Sequence, residues 1–244
     1  EGVETVTPSG LLGDVAPSLW RSLSMARDIR RRKCDIYHGL SNELPLDIRH
    51  SGAKSVVTVH DLIFVRYPNL YKKADRMLYT YKYRKSCQLA DRIIAISRQT
   101  QSDLMEFWGI PEEVIDVVYQ GCNPIFYKRA DEDTIASVRA KYGLPEDFIL
   151  SVGTIEERKN LMLTVRAMAE GGIDIPLVAC GRHTPYADEI MEYAVSRGIS
   201  DRIIMLHNVE MNDLPAIYAM ASVAVYVSIF EGFGIPIIEA LNSG

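Results

Sequence analysis

One stretch near the C-terminal end narrows the possible folds more than any other: Ser228-Ile-Phe-Glu231-Gly-Phe-Gly234-Ile-Pro236-Ile-Ile-Glu239-Ala-Leu. Before it, Val223-Ala-Val-Tyr-Val-Ser reads as a buried strand. A glycine-rich turn follows, then a helix expected to open at Pro236, where a missing N–H has no intrahelical acceptor to lose. Strand, turn and helix in that order belong to a parallel α/β sheet. Gly232 and Gly234 let a ligand approach the backbone closely. The N–H groups of Phe233, Gly234 and Ile235, aligned with the helix dipole, favour an anion. Glu231 and Glu239 frame this turn, and an ionised carboxylate, being acceptor-only, suits a vicinal diol. Phosphate at the turn with hydroxyls on both sides describes a sugar nucleotide.

A second cluster of chemistry lies at Ser151-Val-Gly153-Thr154-Ile-Glu-Glu-Arg158-Lys159-Asn-Leu. A strand ends at Gly153, a short loop carries Arg158 and Lys159, and a helix runs from about Asn160 to Ala169. Cations oppose the dipole at a helix N-terminus, so a basic pair there implies a nearby anion. Guanidinium grips phosphate oxygens in a fork and ammonium adds a point charge.

The remaining pattern repeats the βα theme in 244 residues, enough for two modest domains. In the first half the expected elements are an amphipathic helix over 18–32 with Leu19, Leu23, Ala26 and Ile29 inward, and strands at Cys34–His38, Ser55–His60 and Asp91–Ser97. A tyrosine- and lysine-rich helix over 72–89 is expected to turn Met77, Leu78 and Tyr81 inward. Ser97 opens another helix as its N-cap. A further helix runs from Asp131 to Lys141, and Phe148–Val152 then starts a fresh βα unit. The boundary is therefore placed near Lys128, giving domains 1–127 and 128–244. Neither end carries the strand or sheet edge cover expected of a whole domain, so both ends read as truncated.

Net charge is −5, which makes nucleic acid a poor partner. Four dispersed cysteines without a CxxC pair read as buried thiols of a reducing cytoplasm. The longest uncharged run, 214–230, is too short for a membrane helix. Cations and tyrosines along 67–85 suit a peripheral contact with a membrane interface, or a solvated helix face.

The run EGFGIPIIEA resembles the E-x7-E motif of the retaining glycosyltransferases of family 4, the group 1 glycosyltransferases. VGTIEERKNL resembles that family's glycine–basic loop, and the order ADRIIAIS, helix, IDVVYQG resembles its N-terminal half. The resemblance implies a GT-B fold, two doubly wound Rossmann-type units facing a cleft. The first unit would serve the acceptor and the second the nucleotide sugar. It implies that His60, closing a strand, contacts the donor sugar. Arg158 and Lys159 would bind the diphosphate, with Gly153 and Thr154 beside them, and Val209 would pack by the base. Val227 stands where proline is usual, Asn242 where a small apolar residue is common, and the segment after Gly181 also departs from the pattern.

The expected activity is transfer of a hexose, mannose among the options, from a nucleotide-diphosphate sugar to a hydroxyl of a glycan or lipid-linked saccharide. No metal or other cofactor is expected, because Arg158 and Lys159 can supply the charge that Mg²⁺ supplies elsewhere. The expected location is the cytoplasm or the inner face of its membrane. A glycosidase using Glu231 and Glu239 as paired carboxylates would leave the anion turn and the basic pair unexplained. A GT-B epimerase or phosphorylase, or a non-catalytic nucleotide-sugar-binding fragment, are the alternatives.

Overall fold

Strands form where β-branched runs can be buried, and a computed structural model covering residues 3–8 and 15–244 groups them into two parallel sheets. The chain divides into two units, Glu1–Tyr119 and Gln120–Gly244, each with its own sheet. The division falls ahead of Lys128 because Cys122 and Phe126 are buried in the core of the second unit. Glu1 and Gly2, part of the expectation that no strand opens the chain, lie outside the described residues.

The first unit holds β1 (Ile36–Gly39), β2 (Lys54–Val59), β3 (Arg92–Ala95) and β4 (Ile115–Val117), side by side in chain order. Val57, Val59, Ile93 and Ala95 are buried in its core. The expected helix over 18–32 is instead two, α1 (Pro17–Leu23) and α2 (Met25–Arg31), interrupted at Ser24. The break turns Leu19 and Leu23 outward, and Trp20 is buried in their place. The tyrosine- and lysine-rich segment is α3 (Lys73–Leu89), but with the opposite face inward. Met77, at 67% exposure, Leu78 and Tyr81 face solvent, while Tyr79 and Tyr83 pack edge-on against buried Phe64. Aromatic stacking therefore decides the orientation of a helix whose apolar stripe is ambiguous. In α4 (Arg98–Trp108), Ser97 caps as expected, its Oγ accepting from the Thr100 amide at 3.0 Å.

The second unit holds α5 (Glu132–Tyr142), β5 (Ile149–Val152), α6 (Leu161–Gly171), β6 (Leu177–Cys180), α7 (Pro185–Ser196), β7 (Ile203–Leu206), α8 (Leu214–Met220), β8 (Val223–Ala224) and α9 (Ile235–Ser243). The strand order is β7-β6-β5-β8. The chain moves outward from β5 to β7 and then returns to the other side of β5, so the order reverses between β5 and β8. Ligands of open α/β sheets gather beyond the carboxyl ends of the strands at such a reversal. The strand expected to be buried over 223–228 is reduced to two residues, with Val223 half exposed. Its position explains this, since among the described residues β8 pairs only with β5.

Cys87 and Cys180 are buried, and burial pushes both thiols up to about 12, so they pack as inert apolar groups. Cys122 is buried too, whereas Cys34 is exposed, contrary to the reading of all four as interior. No helix among the described residues is long and apolar enough to cross a membrane.

Candidate active site

The loops that leave β5 and β8 at the reversal point are stitched together by three hydrogen bonds. The Ile229 amide donates to the Arg158 carbonyl at 2.9 Å, Arg158 Nη1 donates to the Phe230 carbonyl at 3.0 Å, and Asn160 Nδ2 donates to the Val227 carbonyl at 3.3 Å. Asn160 can reach because it takes the left-handed conformation, φ 58°, between the basic pair and α6. At the base of the loops, Gly181 is required by packing: a Cβ there would lie 1.8 Å from the Gly153 carbonyl oxygen.

This stitching brings together the residues singled out from the two motifs. One oxygen of Glu231, Oε1, lies 2.7 Å from Arg158 Nη1 and 2.6 Å from Lys159 Nζ. Arg158 Nη2 also meets Glu156 Oε1 at 2.7 Å. The anion implied by the basic pair is thus present within the chain, as carboxylates. Burial alone would raise the Glu231 carboxyl, but hydrogen bonds from Lys159 and Ser228 and the Arg158 charge outweigh it, and the carboxyl is held below its ordinary value. Gly153, Thr154, Lys159, Tyr226 and Ser228 line one small hollow beside this cluster.

Beyond Glu231 the chain turns through Gly232 and Gly234. Gly234, at φ 98°, is the N-cap of α9, which opens at Ile235, one residue ahead of Pro236. Glu239, inside α9, is apart from the cations. Its Oε2 accepts a hydrogen bond at 3.0 Å from Tyr218 on α8, a tyrosine buried to 6% exposure. Burial raises the Glu239 carboxyl above its ordinary value, and the Tyr218 hydrogen bond opposes that only in part. Val209, in the loop after β7, is partly buried against the core of the second unit.

His60 belongs to the first unit, at the carboxyl end of β2. Its amide donates to Asn42 Oδ1 at 2.8 Å and its ring Nε2 lies 2.9 Å from the Leu40 carbonyl oxygen, an acceptor, so Nε2 carries the proton. Three residues of the second-unit site escaped sequence reasoning: Glu156, Tyr218 and Tyr226. Tyr226 carried a visible signal, as the one polar-tipped side chain in an aliphatic run, two residues before Ser228 and so on the same face of an extended chain.

Known proteins share both halves. The glycosyltransferase family 4 model matches residues 3–125, about half of the chain, and the model for glycosyl transferases group 1 matches residues 135–244. The O-antigen chain mannosyltransferase B of Escherichia coli is 31% identical over 223 residues, covering 88% of this chain and 57% of that protein. An O-antigen chain mannosyltransferase of Salmonella typhimurium is 27% identical over 188 residues, covering 77% and 49%. The chain therefore spans about half the length of these curated relatives. Among solved structures, Anabaena HepE in complex with UDP and glucose superposes with a TM-score of 0.72 at 17% identity, covering 98% of this chain and 65% of that one. A glycosyltransferase from Rickettsia africae gives 0.71 at 19% identity, covering 90% and 58%. Two parallel-sheet units, the stitched basic and glycine loops, and the match of one family model to each half lead to one conclusion: this chain belongs to the family 4, group 1 glycosyltransferases of GT-B fold.

Proposed function

We propose that the protein transfers a hexose, with retention, from a nucleotide-diphosphate sugar to an acceptor hydroxyl of a glycan or lipid-linked saccharide. The observation that carries this reading is the convergence of Arg158 and Lys159 on Glu231 beside the Gly232–Gly234 turn. In this reading the donor diphosphate takes the cations from Glu231, with its far oxygens on the amides that open α9. Glu231, so released, accepts from hydroxyls of the donor sugar, while Glu239 accepts from the ribose and Val209 packs by the base. Gly153 and Thr154 form the floor under the phosphates.

The reaction breaks the bond between the sugar C1 and the diphosphate oxygen and forms one from C1 to the acceptor oxygen. The acceptor proton passes to the departing phosphate on the same face of the sugar. Arg158 and Lys159 stabilise the charge that grows on that leaving group, which is where preorganised charge accelerates a reaction. No metal is required in this scheme. The curated relatives named as mannosyltransferases support mannose as the sugar.

Exchanging both cations (R158A with K159A) should weaken nucleoside diphosphate binding by about 2–4 kcal/mol and leave the bare nucleoside nearly unaffected. Equal losses for both ligands would overturn the diphosphate assignment. Transfer should also survive EDTA, and a loss that Mn²⁺ or Mg²⁺ restores would overturn metal independence.

The outward face of α3 supports a second contact. Lys73, Arg76, Arg84 and Lys85 flank the exposed Met77 and Tyr81 around an open groove of about 740 Å³. Cations around apolar side chains suit an anionic membrane surface. Flotation with phosphatidylglycerol vesicles but not phosphatidylcholine vesicles is expected, and equal flotation with both would refute the contact.

A further inference from the structure

The Lys159 ammonium has three donors on a flexible four-carbon stem, and such a group is placed only by what holds it. One neighbour is Glu231 Oε1. The other is Tyr226, whose hydroxyl accepts from Lys159 Nζ at 3.1 Å, with the ammonium also 5.1 Å from the ring centroid. The same ring reaches the glycine turn. A Cβ on Gly234 would lie 3.5 Å from Tyr226 Cε1, so the edge of the ring packs against the N-cap of α9. A tyrosine has only two side-chain torsions. With its ring against the turn and its hydroxyl on the ammonium, Tyr226 fixes the distance between the two halves of the anion site.

We infer that Tyr226 is a positioning residue of the donor site, one that keeps the Lys159 ammonium aimed across the Gly232–Gly234 turn when Glu231 gives way to a diphosphate. The inference rests on the diphosphate reading given above and goes beyond it. The carboxylate is one of the ammonium's two anchors, and it is the one an incoming anion displaces. The neutral hydroxyl carries no charge for the anion to compete with, so it stays. Burial raises the Tyr226 hydroxyl's pKa, with the Lys159 hydrogen bond opposing and Glu231 adding to it, so the hydroxyl remains protonated at neutral pH and can accept from Lys159 while donating to Glu231.

The test is a double-mutant cycle on the full chain, with inorganic pyrophosphate as a probe independent of base and sugar, read by titration calorimetry. Y226F keeps the ring against Gly234 and removes only the hydroxyl. It should weaken pyrophosphate binding roughly tenfold, the scale of one hydrogen bond to a charged group, with an unchanged Tm. K159M should weaken it at least as much, and Y226F combined with K159M should bind no worse than K159M alone, because once the anion has displaced Glu231 the hydroxyl acts on it only through the ammonium. Losses that multiply in the double variant, or an unaffected Y226F, would overturn the positioning role. R158A separates the two levels of the argument. If R158A weakens pyrophosphate binding and the cycle is nevertheless additive, Tyr226 alone is misassigned. If the unaltered protein does not bind pyrophosphate, the diphosphate reading and the inference fall together.

Discussion

The glycine turn ahead of α9 and the body of α9 each carry one carboxylate of the same motif, in opposite electrical surroundings. Glu231, in the turn, shares one oxygen between two cations and is held below the ordinary glutamate range. Glu239, inside the helix, touches a neutral tyrosine hydroxyl and is pushed above that range by burial. The contrast teaches that equal residues in one motif are prepared for unequal tasks. A carboxylate committed to cations can respond when a charged ligand arrives. A carboxylate that is uncomfortable when charged gains most from new hydroxyl donors.

The strongest way to break this comparison is to remove each charge without changing shape. Glu231→Gln should lower kcat about 100-fold, without weakening nucleoside diphosphate binding, since it removes a competitor for Arg158 and Lys159. Steady-state kinetics with a parallel titration would show it. A loss of affinity with kcat intact would reverse the roles of the two glutamates. Glu239→Gln should instead weaken nucleotide binding by about 1.5–3 kcal/mol while kcat at saturation changes little.

Acid should separate the two next. A carboxyl lowered by folding contributes stability at pH values above the ordinary glutamate value, and that contribution is lost as pH falls through the lowered value. The wild-type protein should therefore lose stability on the acid side of the ordinary glutamate value, and E231Q should show less of that loss in a pH series of unfolding midpoints. Glu239 has the reverse sign. Its raised carboxyl contributes below the ordinary value, and the contribution is lost as pH rises through the raised one, so at neutral pH its charge works against the fold. The smallest effect follows: E239Q should stabilise the ligand-free protein at pH 7 by roughly 0.5–1 kcal/mol, seen as a modest rise in Tm. A fall would contradict the burial argument.

Much of this architecture was legible before any coordinates. Runs such as Ile149–Val152 and Leu177–Cys180 end in glycine and lead into helices, and that rhythm specifies parallel sheets. The cap at Ser97 was legible because a side-chain oxygen before a helix has few other uses, whereas Asp131, read as the first residue of its helix, is instead its cap. Orientation was less legible. α3 offers apolar side chains on more than one face, and contacts with Phe64, distant in sequence, select Tyr79 and Tyr83 over Met77 and Tyr81. The break at Ser24 and the shortness of β8 likewise depend on neighbours that a local pattern does not contain. At the site, the spacing of Arg158, Lys159 and Glu231 marked them singly. Their meeting depends on the return of β8 to the far side of β5, a property of topology, and Tyr218 enters only because α8 lies against α9.

The oxygen that Glu231 shares between Arg158 and Lys159 has a consequence for selectivity among anions. With Glu156 also on Arg158, two positive charges face two negative ones, and the cluster is electrically balanced within the chain. A chloride or a single phosphate from the surrounding medium meets no bare field, and to enter it must evict a carboxylate tethered at a very high local concentration. On the proposed reading, a sugar nucleotide would bring what the evicted group needs, its phosphates replacing the carboxylate on the cations and its hydroxyls satisfying the carboxylate set free. On that reading binding is an exchange of partners, and the chain's own acid favours a diphosphate, whose oxygens can engage both cations at once, over a chloride or a single phosphate.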